Sequence, residues 1–300
     1  MQAMRIQAAC RDCLARLVEL TVNLATQDPE LRTAAQDAAL AIIEEEFAPE
    51  AIPALIANRF HRKIKAISGN PNPFLPHKQA ETSFLECHFQ SVAPDFTDNL
   101  ESRLKLAVLG NAVDFFRSKD EVSREFSQEI FFTVSHLRTF EDRLQAEAGL
   151  LLYLADNAGE QHFDVPLVHH LRRRGWKVIY VVKGEPIQND LTRADLEASG
   201  LLDRLEPVLE TGAATVGLVL SEASKEFREI YARAGLILAK GMGHFETLGH
   251  LPDSRLFFLF QAKCRPVAHA LEVPLGSFVF VHADEISLSI ANDMTANQSI

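Results

Sequence analysis

Four cysteines, at positions 10, 13, 87 and 264, are too few and too scattered for the disulfide framework of a secreted scaffold. Long apolar runs are missing too: none reaches the about 18 residues that a membrane-spanning helix needs. The opening stretch MQAMRIQAACRDC lacks the apolar core of a secretory signal, so a cytoplasmic location is the expectation. Basic residues are in deficit. The 30 Lys and Arg stand against 41 Asp and Glu, a formal charge of −11, which argues against nucleic acid and anionic membranes as partners over most of the surface. A small anionic ligand stays open, because a bound divalent cation with one or two lysines reverses the potential inside a pocket. No internal repeat, no low-complexity segment and no G-x-G-x-x-G after the first predicted strand is present. The last absence counts against a nucleotide-type cofactor loop, and so against a Rossmann-like methyltransferase.

Cys10 and Cys13 form a C-x-x-C, one turn apart in a segment that reads as helix. They share an apolar face with Ile6, Leu14, Leu17 and Leu24. A second pair at similar spacing is missing, so zinc is weakly signalled, and buried thiols acting as small hydrophobes are the favoured reading. The non-enzymatic alternative is a metal or iron–sulfur protein that uses Cys10, Cys13, Cys87 and Cys264.

The 300 residues suffice for one large core, or a large core with a satellite. Periodicity predicts helices over 4–25, 29–47, 50–67, 78–92, 98–118 and 120–146, with the turn-former run GNPNPFLP at 69–76. From Gly149 the texture changes. Short apolar runs at 150–155, 176–182, 236–239, 256–260 and 277–282 read as strands, alternating with helices at 159–174, 191–199 and 222–234. The segment 213–220 stays unassigned. The expectation is a three-layer α/β/α, Rossmann-like sandwich with a mostly parallel sheet, residues 148–300, beside an N-terminal helical region, residues 1–147.

In such sheets ligands bind where the carboxyl ends of the strands meet their loops. Those ends carry Asp156-Asn157-Ala158-Gly159-Glu160, then Lys183 to Asp190, then Lys240-Gly241-Met242-Gly243-His244-Phe245-Glu246, and then Lys263 and Cys264. Asp156 and Asn157 offer one charged and one neutral oxygen, and Asp190 adds a second charge from the next strand, a set that suits a hard divalent cation. Ala158 and Gly159 open a helix whose free N–H groups can face an anion. Lys240 can neutralise phosphoryl oxygens, while Gly241 and Gly243 let backbone approach closely. Glu160 is a candidate general base, although a helix N-terminal Glu also simply complements the dipole. Each motif alone also reads as a helix cap or a turn. Asn111 falls on the apolar stripe of Leu104, Ala107, Val108 and Phe115, with Asp114 one turn on; the pair either lines the pocket or forms a buried hydrogen-bonded joint.

DNAGE (156–160), Asp164, KGEPIQND (183–190) and KGMGHFETL (240–248) resemble the damage-control phosphatases, a family of metal-dependent phosphatases long catalogued as a domain of unknown function. The resemblance extends through CRDC (10–13), GNPNPF (69–74), LAVLGNAVDFF (106–116) and KCRPVA (263–268), nearly the whole chain, and the cysteines look like those of its mainly prokaryotic branch. It implies an α/β/α sandwich with an added helical domain, and a divalent ion (Mn, Ni, Co or Mg) on Asp156, Asn157 and Asp190. It also implies a phosphate met by Lys240, with Asn189 and Glu246 in the substrate pocket. The implied reaction is hydrolysis of small phosphate monoesters, including sugar phosphates or damaged phosphometabolites, by water or through direct attack by Asp156. His244, where Asn is commoner in the family, and Gln161-His162, where apolar residues are common, are departures.

Overall fold

The computed structural model describes residues 6–112, 129–146 and 148–285. Its first three helices form a unit with its own core: α1 (Ala8–Ala25), α2 (Pro29–Glu46) and α3 (Pro53–Ser68) meet on Val18, Ala35, Ala39, Phe60 and Ile64. Their ends are set locally. Asp28 accepts hydrogen bonds from the N–H groups of Glu30 (2.8 Å) and Leu31 (3.1 Å), with Pro29 as the first helical residue. Pro53 opens α3, and Gly69 closes it at φ 70°.

Two further helices, α4 (Leu75–Val92) and α5 (Leu100–Gly110), lead to the sheet. There follow β1 (Phe132–Ser135), α6 (Leu137–Ala146), β2 (Leu150–Leu154), α7 (Gln161–Arg173), β3 (Lys177–Val182), α8 (Arg193–Ala198), α9 (Leu202–Leu205) and β4 (Val208–Glu210). The chain continues through α10 (Lys225–Arg233), β5 (Leu236–Lys240), α11 (Met242–Leu248), β6 (Leu256–Gln261), α12 (Arg265–Ala270) and β7 (Phe278–His282). The strand order is β1-β7-β6-β5-β2-β3-β4. Strands β6, β5, β2, β3 and β4 are parallel; β7 runs antiparallel to β6, and β1 parallel to β7.

Alternation along the strands builds two cores, which is why the runs read as continuously apolar. Leu151, Tyr153, Val178 and Tyr180 face α4, α5, α6 and α7, while Leu152, Leu154, Val181 and Ile237 face α10, α11 and α12. The expected mostly parallel sheet covered by helices on both faces is thus present, with the helical N-terminal region beside it.

Three expectations change. The segment 120–146 holds strand β1 before α6: Thr133 and Val134 are β-branched, and the strand adds to β7 at the sheet edge. Strand β4, three residues long after Pro207, is too short for period-2 alternation to show. The helix expected over 98–118 stops at Gly110, and Asn111 is its cap. Gly110 packs against the Phe163 ring of α7, where an added Cβ would sit 3.1 Å away. Asp114 lies outside the described residues. The segment 213–220 is a loop.

Phe257 is fully buried on β6, where its ring meets Phe140 (4.9 Å) and Phe280 (5.7 Å). Phe257→Ala is expected to cost about 3–5 kcal/mol, read as a lower urea midpoint with an unchanged m-value.

Candidate active site

The ends of β2, β3, β5 and β6 open into one cavity of about 490 Å³. Its polar end is formed by Asn111, Asp156, Asn157, Asn189 and Asp190; Gly243, Glu246 and Lys263 also line it, and helix α1 closes it with Cys10, Cys13, Leu14 and Leu17. The loops after β2 and β3 are zipped together there. Asn157 and Asp190 form an isolated antiparallel bridge, the Leu191 N–H donates to Asp156 O (2.8 Å), and the Ala158 N–H donates to Asn189 O (2.8 Å). The two carboxylates that lie far apart in sequence therefore share one wall.

Asp156 Oδ2 accepts from Asn111 Nδ2 and Asn157 Nδ2, each at 2.9 Å. The same amides donate to Glu160 Oε1, at 2.8 and 2.7 Å. Asn157 thus spends its nitrogen on two carboxylates and leaves its amide oxygen for a ligand. Gly241, at φ 83°, lets Asp156 lie against the backbone: a Cβ built there would fall inside the carboxylate. Burial, followed by the charges of Glu160 and Asp190, pushes the Asp156 pKa well above the usual carboxylate range. Burial also raises Asp190, against the pull of Lys183 at 3.3 Å.

Lys240 is placed differently from the expected phosphate contact. Its ammonium is wholly buried, 2.6 Å from Glu160 Oε2, and donates to Asp164 Oδ1 (2.7 Å) and Ala107 O (2.8 Å). Glu160 is likewise committed. Burial opposes its charge, but Lys240, with help from Asn111, offsets this and holds it below the usual range, so it orients amides as an ionised acceptor instead of standing free as a base. Ala158 and Gly159, expected to show free N–H groups, have none to offer an anion: the second donates to Gln161 Oε1 (2.6 Å). The bridge to Asp190 turns that first helical turn inward.

His244 explains one departure. Its Nδ1–H donates to Lys240 O (2.6 Å), which leaves Nε2 as the acceptor facing Lys183 Nζ at 3.4 Å. Burial, then Lys183, push its pKa well below the usual value, so a neutral imidazole orders the lysine that pairs with Asp190. Lys183 also donates to Gly217 O.

Residues 6–279 match the damage-control phosphatase ARMT1-like domain. The chain belongs to this family. It is 35% identical over 283 residues to a damage-control phosphatase of Pyrococcus horikoshii, covering 92% of this chain and 97% of that protein. A damage-control phosphatase of Archaeoglobus fulgidus is 30% identical over 284 residues, 92% of this chain and 98% of that one. The crystal structure of the P. horikoshii protein, described as a DUF89 family member, superposes with a TM-score of 0.82 at 32% identity, over 93% of this chain and 99% of that chain. The family match spans α1 to β7, so the damage-control phosphatase unit includes both the three-helix cluster that closes the cavity and the sheet that carries its acids.

Three of the four cysteines, Cys10, Cys13 and Cys264, line the cavity, while Cys87 is exposed. Cys10 is buried and Cys264 half-buried; burial raises both thiols, Cys264 to about 12. Among the described residues no three His, Cys, Asp or Glu side chains are grouped to hold a metal. Sequence reasoning placed Lys183 and Lys263 at the strand ends without giving them a role, and did not single out Tyr153 and Tyr180. The tyrosines stack at 5.3 Å and donate to Asp164, at 2.7 and 2.6 Å. Their one signal in the sequence was a pair of phenols in two otherwise aliphatic buried strands.

Two outcomes are expected. Lys240→Met leaves Glu160 and Asp164 buried without a counter-charge and should cost about 3–5 kcal/mol in chemical denaturation. Glu246, whose Oε2 accepts from the Ala54 N–H (3.1 Å), is raised by burial from 4.5 to about 7. A carboxyl raised on folding contributes fully below its unfolded pKa, and that contribution is lost as pH rises through 7. Glu246→Gln keeps an acceptor for Ala54 and should flatten the fall in stability between pH 5 and 8, about that midpoint, in melts across that range.

Proposed function

We propose that this chain is a divalent-metal-dependent phosphatase acting on small phosphate monoesters, sugar phosphates or damaged phosphometabolites among them. The observation that carries the reading is the charge state of the cavity wall. Asp156 accepts from the Asn111 and Asn157 amides, and burial, then Glu160 and Asp190, raise its pKa. Asp156 and Asp190 on the wall, with Glu160 and Asp164 beneath it, outnumber the lysines that face them, Lys183, Lys240 and Lys263. A divalent cation balances that difference, and carboxylate and amide oxygens are the donors such ions take. Asp156, Asp190 and the Asn157 amide oxygen would hold it. When bound, Mn, Ni, Co or Mg supplies a Lewis acid at a phosphoryl oxygen.

The chain's own residues do the rest. Glu160 and Asn111 hold the Asp156–Asn157 pair in place; Lys183, ordered by His244, restrains Asp190. Lys263, on the cavity wall and close enough to favour the charged form of Asp156, is the cation placed to neutralise the transferred phosphoryl group, while Lys240 positions Glu160 from beneath. Asn189, Gly243 and Glu246 border the leaving group. Membership of a phosphatase family supports hydrolysis, and water attack accounts for a site in which Asp156 is tethered by two amides.

The test is hydrolysis of p-nitrophenyl phosphate by metal-stripped protein with each ion added back. Asp156→Asn should lose at least about 100-fold of the metal-dependent turnover. Folded wild-type protein that is inactive with every ion would sink the reading. Turnover of a phosphomonoester made chiral at phosphorus with oxygen isotopes should invert configuration, as one displacement by water does; retention would mean two displacements, the first by Asp156.

A further inference from the structure

The segment that delivers Asp190 is unusual in its backbone. Gln188, two residues before the acid, sits at φ 41°, a left-handed conformation that a side chain of its size seldom adopts. A conformation of this kind persists only where the surroundings over-determine it. Here they do so from the helical unit. Gln188 Nε2 lies 2.8 Å from Nε2 of His61, a buried residue of α3. An amide nitrogen can only donate, so His61 Nε2 is the acceptor and the ring proton is on Nδ1. That proton points to Thr21 Oγ1 of α1, a long contact of 3.5 Å, and Thr21 in turn donates to Leu17 O at 2.7 Å. Burial, then Lys65, hold His61 at a pKa of about 3, so the ring stays an acceptor at any working pH. The flanking residues are tied from the same side: Lys65 Nζ donates to Pro186 O (2.8 Å), and Asn189 Nδ2 donates to Glu81 Oε2 of α4 (3.0 Å).

We infer that His61 is a positioning residue, which fixes the left-handed turn at Gln188 and thereby the place of Asp190 on the cavity wall. The contact spans the two parts of the molecule, from the buried ring on α3 to the side chain of the left-handed residue itself. The three-helix unit, which contributes no carboxylate to the polar end of the cavity, then shapes that end through this contact. The inference rests on the reading of Asp190 as a metal ligand.

The experiment is calorimetric titration of Mn2+ into the full-length, metal-stripped protein, with kcat and KM for p-nitrophenyl phosphate measured in parallel. The variants are His61→Leu, His61→Gln, Gln188→Ala and the double His61→Leu/Gln188→Ala. Loss of the contact should weaken Mn2+ affinity and kcat by about tenfold with KM nearly unchanged. His61→Gln, which offers an acceptor oxygen where Nε2 stood, should restore most of both. The double variant should be no worse than either single one, since both remove the same contact. Multiplying losses in the double variant, or unchanged Mn2+ affinity in Gln188→Ala, would overturn the inference. The loop variant Gln188→Ala decides the matter even if His61→Leu does not fold. Wild-type protein that neither binds Mn2+ nor turns over would overturn the metal reading itself, a result distinct from wild-type binding that the variants leave intact.

Discussion

A single ammonium, Lys240 Nζ, joins the sheet to two helices on one of its faces at a fully buried point. It is donated from the end of β5, gripped by Glu160 and Asp164 at the start of α7, and capped by the Ala107 carbonyl of α5. At such burial a lone charge is prohibitive, so the pair of acids and the lysine stand or fall together. Asp164 is completed by Tyr153 and Tyr180 from the two neighbouring strands, and Glu160 by the amides of Asn111 and Asn157. Asp156 is oriented by those same amides. The geometry at the cavity wall is thus inherited from an ion cluster that the cavity never touches.

This arrangement divides the lysines by depth. Lys240 and Lys183 are internal braces, each bonded to backbone carbonyl as well as carboxylate, whereas Lys263 stands on the wall. It also explains the glycines. Gly241 has to be glycine because the Asp156 carboxylate occupies the space of its Cβ, and Gly217 because Gly243 O and Thr247 Oγ1 crowd it. Both positions exist to let polar atoms come close, where a side chain would have held them apart.

Much of this was legible in the chain. Apolar runs of strand length ending in Asp, Asn, Lys and Gly mark the sheet edge, because buried parallel strands need both faces apolar and their loops carry the polar work. Asp156, Asn157, Asp190 and Glu246 are all found on or around the one cavity. What sequence could not give was direction. A lysine in a K-G-x-G run reads the same whether its four-carbon stem points into the cavity or into the core, and only the partners at 164 and 107 decide that. The free N–H groups expected at Ala158 and Gly159 were missed for a similar reason, since the Asn157–Asp190 bridge that consumes one of them is non-local. Strands β1 and β4 escaped because edge strands of three or four residues carry too little pattern.

The reversal at β7 has a consequence of its own. Because β7 runs antiparallel to β6, the chain leaves β6 and re-enters the sheet at the same edge, and the connection 262–277 never has to cross to the far side. It lies along the rim and contributes Lys263, Cys264, Arg265, Pro266 and Leu275 to the cavity lining. A further parallel crossover in that place would have carried the chain to the opposite end of the sheet before β7. The molecule gains a rim segment in which one short connection supplies both a charged side chain, Lys263, and an apolar one, Leu275, to the cavity lining.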